Sequence, residues 1–98
     1  MYDVFYKENR LYIAVNEVGL EIVINPSLLI KISSYKTPGY AWGVGISGNY
    51  VYVADGDAGL RIIDVSNLQN LYEIGYYDIP GSARNIAVVN DYIFVADE

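Results

Sequence analysis

The sequence contains no histidine and no cysteine. Lacking histidine, it has no imidazole to act as a general base, no Ser-His-Asp arrangement and none of the commonest zinc ligand, so most hydrolytic chemistry is closed to the chain on its own. Lacking cysteine, it has no disulfides, thiolate metal sites or thiol nucleophile. Positive charge is scarce as well. Six Lys and Arg stand against twelve Asp and Glu, and the net charge of -6 repels a phosphate backbone with no basic cluster to offset it, so nucleic acid is not an expected partner. No apolar run approaches the roughly 20 residues that cross a bilayer, so no membrane span is expected. The N-terminus has no basic segment leading into an apolar stretch, and any export signal is expected outside this sequence. No cofactor and no bound metal are expected.

Apolar residues, by contrast, make up 53 % of the chain and charged ones 18 %, which is rich for 98 residues. A chain this short buries only about 60 to 65 % of its unfolded surface. The excess implies that either the folded unit is larger or apolar faces meet a partner.

Two segments account for much of this composition. PGYAWGVGISGNYVYVAD (38–55) overlays PGSARNIAVVNDYIFVAD (80–97) at an offset of 80 - 38 = 42, with Pro, Gly, Ala, Tyr, Val, Ala and Asp recurring. The same offset carries Ile32 onto Ile74 and Tyr35 onto Tyr77. Nearer the N-terminus the offset is 40, matching Tyr12 with Tyr52, Ala14 with Ala54, Gly19 with Gly59, Leu20 with Leu60 and Ile22 with Ile62. The length change falls near residues 25–27 against 66–70, which reads as a loop. Each period holds four short runs rich in Val, Ile and Tyr, with no 3.6-residue stripe, so helix is not expected. In the best-defined period the runs are 41–47, 50–55, 60–65 and 71–78, with Gly48-Asn49 as a two-residue hairpin turn and 55–59 as the next turn. Four antiparallel strands in about 42 residues is the size of a propeller blade. Val51-Tyr52-Val53-Ala54 and Ile62-Ile63 are continuously apolar, as in sheets covered on both faces.

ADGDAGLRIIDVSN (54–67), preceded by GNYVYV and followed further on by Pro80-Gly81, resembles the LVIVD repeat, a relative of the YVTN-type propeller repeats. Gly59, Leu60, Ile62, Ile63, Asp64 and Ser66 carry the resemblance. It is weaker in the first repeat, where Val15 to Gly19 replaces the Asp-Gly turn. The resemblance implies a propeller scaffold in a surface or secreted protein of bacteria or archaea, hence an extracellular or cell-surface location, and implies no catalytic signature.

Residues 2–6 align with 84–88, so the chain opens on the first strand of a blade. The expected fold is all-β: four-stranded antiparallel propeller blades, about two and a half per chain, with blade 1 at residues 1–38, blade 2 at 39–80 and a half-blade at 81–98. Closed propellers have four to eight blades, so two apolar blade faces are left to be covered. The neighbours are either further blades of a longer protein or other copies in a homo-oligomer, with the last strands swapped, augmented or distorted.

In a blade the D-to-A and B-to-C loops emerge on one face, where scaffolds of this kind carry function. That face gathers Tyr2, Asp3, Asn16, Glu17, Tyr40, Trp42, Asp55, Asp57, Ser82, Arg84, Asn85, Asp97 and Glu98, of which Tyr40, Trp42, Arg84, Asp55, Asp57 and Glu17 are the ligand-face candidates. Aromatic rings beside polar donors suit a peptide or a sugar ring; the plainer alternative is that they fill the rim. Asp55-Gly56-Asp57 resembles the start of a calcium loop, but no bidentate Glu follows, and a turn in which Asp55 accepts local amides explains it better. Asp64 is expected to cap turn amides at its strand end. Of the eleven tyrosines, Tyr12, Tyr50, Tyr52 and Tyr92 are expected to pack within or between blades, and Tyr35, Tyr76 and Tyr77 to face solvent or a partner. The leading functional expectation is a non-enzymatic interaction or scaffold module binding a protein or glycan. The alternative is part of an extracellular enzyme or a glycan-binding, lectin-like protein; enzymatic chemistry would draw on Asp55, Asp57 and Arg84.

Overall fold

Ten strands follow one another in a computed structural model that describes residues 3–24, 30–79, 81–90 and 92–97. They are β1 (Asp3–Lys7), β2 (Arg10–Val15), β3 (Gly19–Ile24), β4 (Ile30–Lys36), β5 (Gly43–Ser47), β6 (Tyr50–Ala54), β7 (Leu60–Asp64), β8 (Tyr72–Tyr77), β9 (Ala83–Val89) and β10 (Tyr92–Asp97). Among the described residues there is no helix. Tyr2, Pro80, Glu98 and the loop placed at 25–27 lie outside the described residues, as does the side chain of Asp97.

Each strand pairs antiparallel with its sequence neighbour, giving two four-stranded sheets, β1-β2-β3-β4 and β5-β6-β7-β8, and a two-stranded sheet of β9 and β10. These are the blades of an all-β propeller scaffold. The repeat register persists into the irregularities: β4 carries an extra residue opposite the step from Ile22 to Val23 of β3, and β8 carries one opposite the step from Ile62 to Ile63 of β7, forty residues on. The Gly48-Asn49 turn closes Ser47 onto Tyr50 as its sequence requires.

Alternation along each strand gives every blade two faces. The trailing face of blade 1 carries Tyr12, Ala14, Leu20 and Ile22, with Phe5 and Tyr35 packed beside them; it meets Val44, Ile46, Val51, Val53 and Ile63 on the leading face of blade 2. That inter-blade layer is the main core, and Leu20, Ile22, Val51, Val53 and Ile63 are entirely shielded from water. Asp3 adds a polar link across it, accepting a bond from the Val44 amide at 3.2 Å. The trailing face of blade 2, with Gly43, Gly45, Tyr52 and Ala54, meets blade 3 in turn. Here β9 approaches closely: a Cβ built on Gly45 would stand 2.8 Å from a methyl of Val88 and 3.0 Å from one of Ile86. Gly45→Val is therefore expected to push β9 away from β5. In hydrogen exchange, amides of β9 and β10 should lose protection by at least tenfold while those of β2 and β3 keep theirs.

The tyrosines divide differently from the sequence expectation. Tyr12 is buried, but Tyr50 and Tyr92 are exposed instead of packed, because both start strands at hairpin ends beyond the inter-blade layer. Tyr35 packs against the core opposite Leu20, whereas Tyr76 and Tyr77 are exposed.

Candidate ligand face

At one end of the blades, each connection entering a blade is hydrogen-bonded to the turn between the second and third strands of the blade before it. Ala41 donates its amide to the Asn16 carbonyl at 2.8 Å and accepts from the Asn16 side-chain amide at 2.9 Å. Forty-two residues later, Ala83 exchanges two backbone bonds with Gly56, at 2.9 and 3.0 Å. The repeat thus fixes the same joint twice, and residues on either side of each alanine fall at matching positions of adjacent blades.

This joint brings three of the six sequence candidates together. The Arg84 guanidinium lies over the Trp42 ring, 4.3 Å from its centroid, and Tyr40 packs against Trp42 with centroids 5.2 Å apart and planes tilted by 52°. Trp42 itself is anchored by its amide, which donates to the Ala54 carbonyl at 2.7 Å. Ser82 accepts a bond from Arg84 Nε at 3.2 Å, so Nη1 and Nη2 are the donors through which Arg84 would recognise a ligand. A guanidinium stacked on indole is held flat at little further entropic cost, and cation–π contact contributes about 0.5 to 2 kcal/mol. Tyr40 is exposed, and Trp42 and Arg84 are half-buried.

Glu17 and Asp57 are exposed in the two turns, at 15–19 and 55–59. Asp55 is placed otherwise than expected. Its side chain has no exposure, and its partners are not local amides: Oδ1 accepts from the Thr37 hydroxyl at 2.6 Å and Oδ2 from the Gly39 amide at 2.7 Å. It ties the connection entering blade 2 to the turn that leaves β6. Burial pushes its carboxyl above the usual carboxylate range, against the lowering effect of the Thr37 and Gly39 bonds. With Asp55 turned inward, Asp55 and Asp57 do not offer two carboxylates to one ligand. The calcium-like reading and the acid–base reading both lose their first member. Of the two residues that complete this tie, Gly39 recurs at Gly81, but Thr37 carried no signal in the repeat, because Ile79 stands where it would recur. Asp64 caps its turn as its sequence position suggests: it accepts from the Ser66 hydroxyl at 2.7 Å and amide at 2.9 Å, which hold its carboxyl below the usual range. Asn85 is exposed on the trailing side of β9, its side-chain oxygen accepting from the Ile86 amide at 2.9 Å.

A family model described as the LVIVD repeat matches the chain three times, over residues 2–37, 38–79 and 80–98. No curated protein matched the sequence.

Proposed function

The chain belongs to the LVIVD-repeat family, and on that premise we propose that it works as a non-enzymatic interaction module of a surface or extracellular propeller, meeting a partner protein through the face that carries Tyr40, Trp42 and Arg84. The observation that carries this reading is the stack of Arg84 on Trp42, built from the same repeat position of neighbouring blades. Repeat scaffolds keep their structural positions alike and vary those that meet ligands, and Trp, Tyr and Arg are the side chains that dominate protein contacts. An enzymatic role is disfavoured by the absence of histidine and the inward turn of Asp55. The tilted Tyr40–Trp42 pair supports one second reading, a sugar ring stacked on Tyr40.

Trp42 is the only tryptophan, so its emission reports on this face alone. The labelled chain, probed against a peptide library and a glycan array, is expected to give binders that shift Trp42 emission. These should lose at least about tenfold affinity in Arg84→Ala and in Tyr40→Ala, with the unfolding midpoint kept. Preference for the array over the library would select the glycan reading. Binders that neither shift Trp42 emission nor distinguish these variants from the parent would refute a ligand site here.

A further inference from the structure

The three side chains of the ligand face differ in how they are held. Trp42 donates its own amide to Ala54, and Arg84 follows Ala83, which two bonds to Gly56 fix in place. Tyr40 makes no hydrogen bond among the described residues. Its position against Trp42 is therefore set by the residues on either side of it in the chain. On one side Ala41 is held by Asn16, from the turn of blade 1. On the other side Gly39 is held by Asp55, from blade 2 itself.

The hold that Asp55 exerts reaches beyond one amide. Its two oxygens accept from the Thr37 hydroxyl and the Gly39 amide, so one carboxylate clasps both ends of Pro38, whose ring already fixes its own φ. The segment 37–39 is thereby seated on the turn after β6: a Cβ built on Gly39 would stand 2.8 Å from that of Ala58 and 2.9 Å from Asp55 Oδ2. Gly56, the next residue of that turn, lies under the rest of the face. A Cβ built there would stand 3.2 Å from the Tyr40 carbonyl oxygen and 3.3 Å from Trp42 Nε1. Neither Thr37 nor Asp55 has any exposure. Burying a carboxylate is costly, and apolar side chains would cover this segment at less expense; what the clasp adds is a single placement of the chain.

We infer that Asp55 is the positioning residue of the ligand face, its clasp on Thr37 and Gly39 setting Tyr40 against Trp42. This role rests on the ligand face proposed for Tyr40, Trp42 and Arg84, and it names the group that preorganises it. A partner meeting Tyr40 and Trp42 together finds them already in place and loses no affinity to their ordering. The stack of Arg84 on Trp42 stands apart, because the bonds of Ala83 to Gly56 and of Trp42 to Ala54 hold it without the clasp.

Three variants test the clasp without touching the face. Asp55→Ala strips both bonds, and Thr37→Val, which removes the hydroxyl but keeps the shape of the side chain, serves should that variant fail to fold. Thr37→Ser keeps the hydroxyl and should rescue. Gly48→Ala, in the hairpin at the other end of blade 2, controls for lost stability alone. Because Trp42 is the only tryptophan, its near-ultraviolet circular dichroism band and its quenching by acrylamide report on its contact with Tyr40. Well below the unfolding midpoint of Thr37→Val, its band should lie about halfway or further towards that of Tyr40→Ala, with quenching about twofold stronger, whereas Thr37→Ser and Gly48→Ala should match the parent. Affinity for the tightest-binding peptide of the library should fall at least about fivefold in Thr37→Val, should fall no further in Tyr40→Ala when Thr37→Val is added to it, and should show an independent loss in Arg84→Ala. A band that Thr37→Val leaves unchanged overturns the inference. So does a band that Thr37→Ser or Gly48→Ala moves as far, and so does a peptide affinity that Thr37→Val leaves at the parent's value. Should the parent bind no peptide while its band responds as described, the ligand reading falls and the placement of Tyr40 by Asp55 is upheld.

Discussion

Replacing Asp55 with alanine is expected to lower stability by about 3 kcal/mol, on the order of 15 °C in the thermal midpoint of a chain this size. The cost arises away from the surface. Deletion of the carboxylate strips an acceptor from the Thr37 hydroxyl and from the Gly39 amide, and leaves a small void at a position with no exposure. Asp55→Asn should cost only about 1 kcal/mol, because one oxygen still accepts from Gly39 while the amide donates to a rotated Thr37 hydroxyl. The two variants also part in their pH dependence. Burial raises the folded carboxyl above the 3.8 of an unburied aspartate, so between 3.8 and that raised value the folded chain holds more proton than the unfolded one. The contribution of Asp55 is therefore fully present below pH 3.8 and declines as pH rises through the raised value. Asp64 has the opposite sense: its lowered carboxyl favours the folded state above pH 3.8, and that contribution is lost as pH falls through its lowered value. Urea midpoints of the parent and Asp55→Asn between pH 3 and 7 isolate the first effect, since the asparagine variant keeps Asp64 and loses only the Asp55 decline. A difference between the two that is flat across this range would contradict the placement of Asp55.

A second substitution of comparable size is Gly59→Ala. Gly59 adopts φ +79 at the start of the third strand of blade 2, and a Cβ there would run into the Tyr77 carbonyl, which is backbone and has no rotamer to yield. The strain of a left-handed alanine adds to that collision, and the loss should exceed about 3 kcal/mol. Gly48→Ala is the control. Its φ of +60 is equally left-handed, but nothing lies within 4 Å of the added carbon, so only the conformational cost of about 1 to 2 kcal/mol remains. Urea unfolding of both variants checks the pair, and equal midpoints would show that the Tyr77 carbonyl yields after all.

Much of the architecture was readable because the chain repeats itself. The offset of 42 located β5 to β8 to within two residues, and the overshoot ahead of β5 has its reason in the joint: Ala41 donates its amide to Asn16 of the preceding blade instead of to β6. The meeting of Trp42 and Arg84 was legible in the same way, since equal positions on adjacent blades must be neighbours. Asp55 was not. Its partners come from Thr37-Pro38-Gly39, in a connection whose first residue is not repeated, so periodicity carried no information about the direction of the side chain. Nor does periodicity say how far along a strand the inter-blade layer reaches. Tyr50 recurs at Tyr92 as faithfully as Tyr52 recurs at Phe94, yet Tyr50 stands outside the layer at a hairpin end.

Because every strand pairs only with the strand before or after it, no described ladder needs a long loop to be closed before it forms. Hairpins can zip locally, on a timescale of about 1 to 10 μs, and each completed blade then offers the next a ready template. Assembly of this kind has a direction. The first two blades share the sealed core, whereas the β9–β10 hairpin leans on blade 2 by one side only. The core shared by β1 to β8 should therefore be the part slowest to exchange its amides.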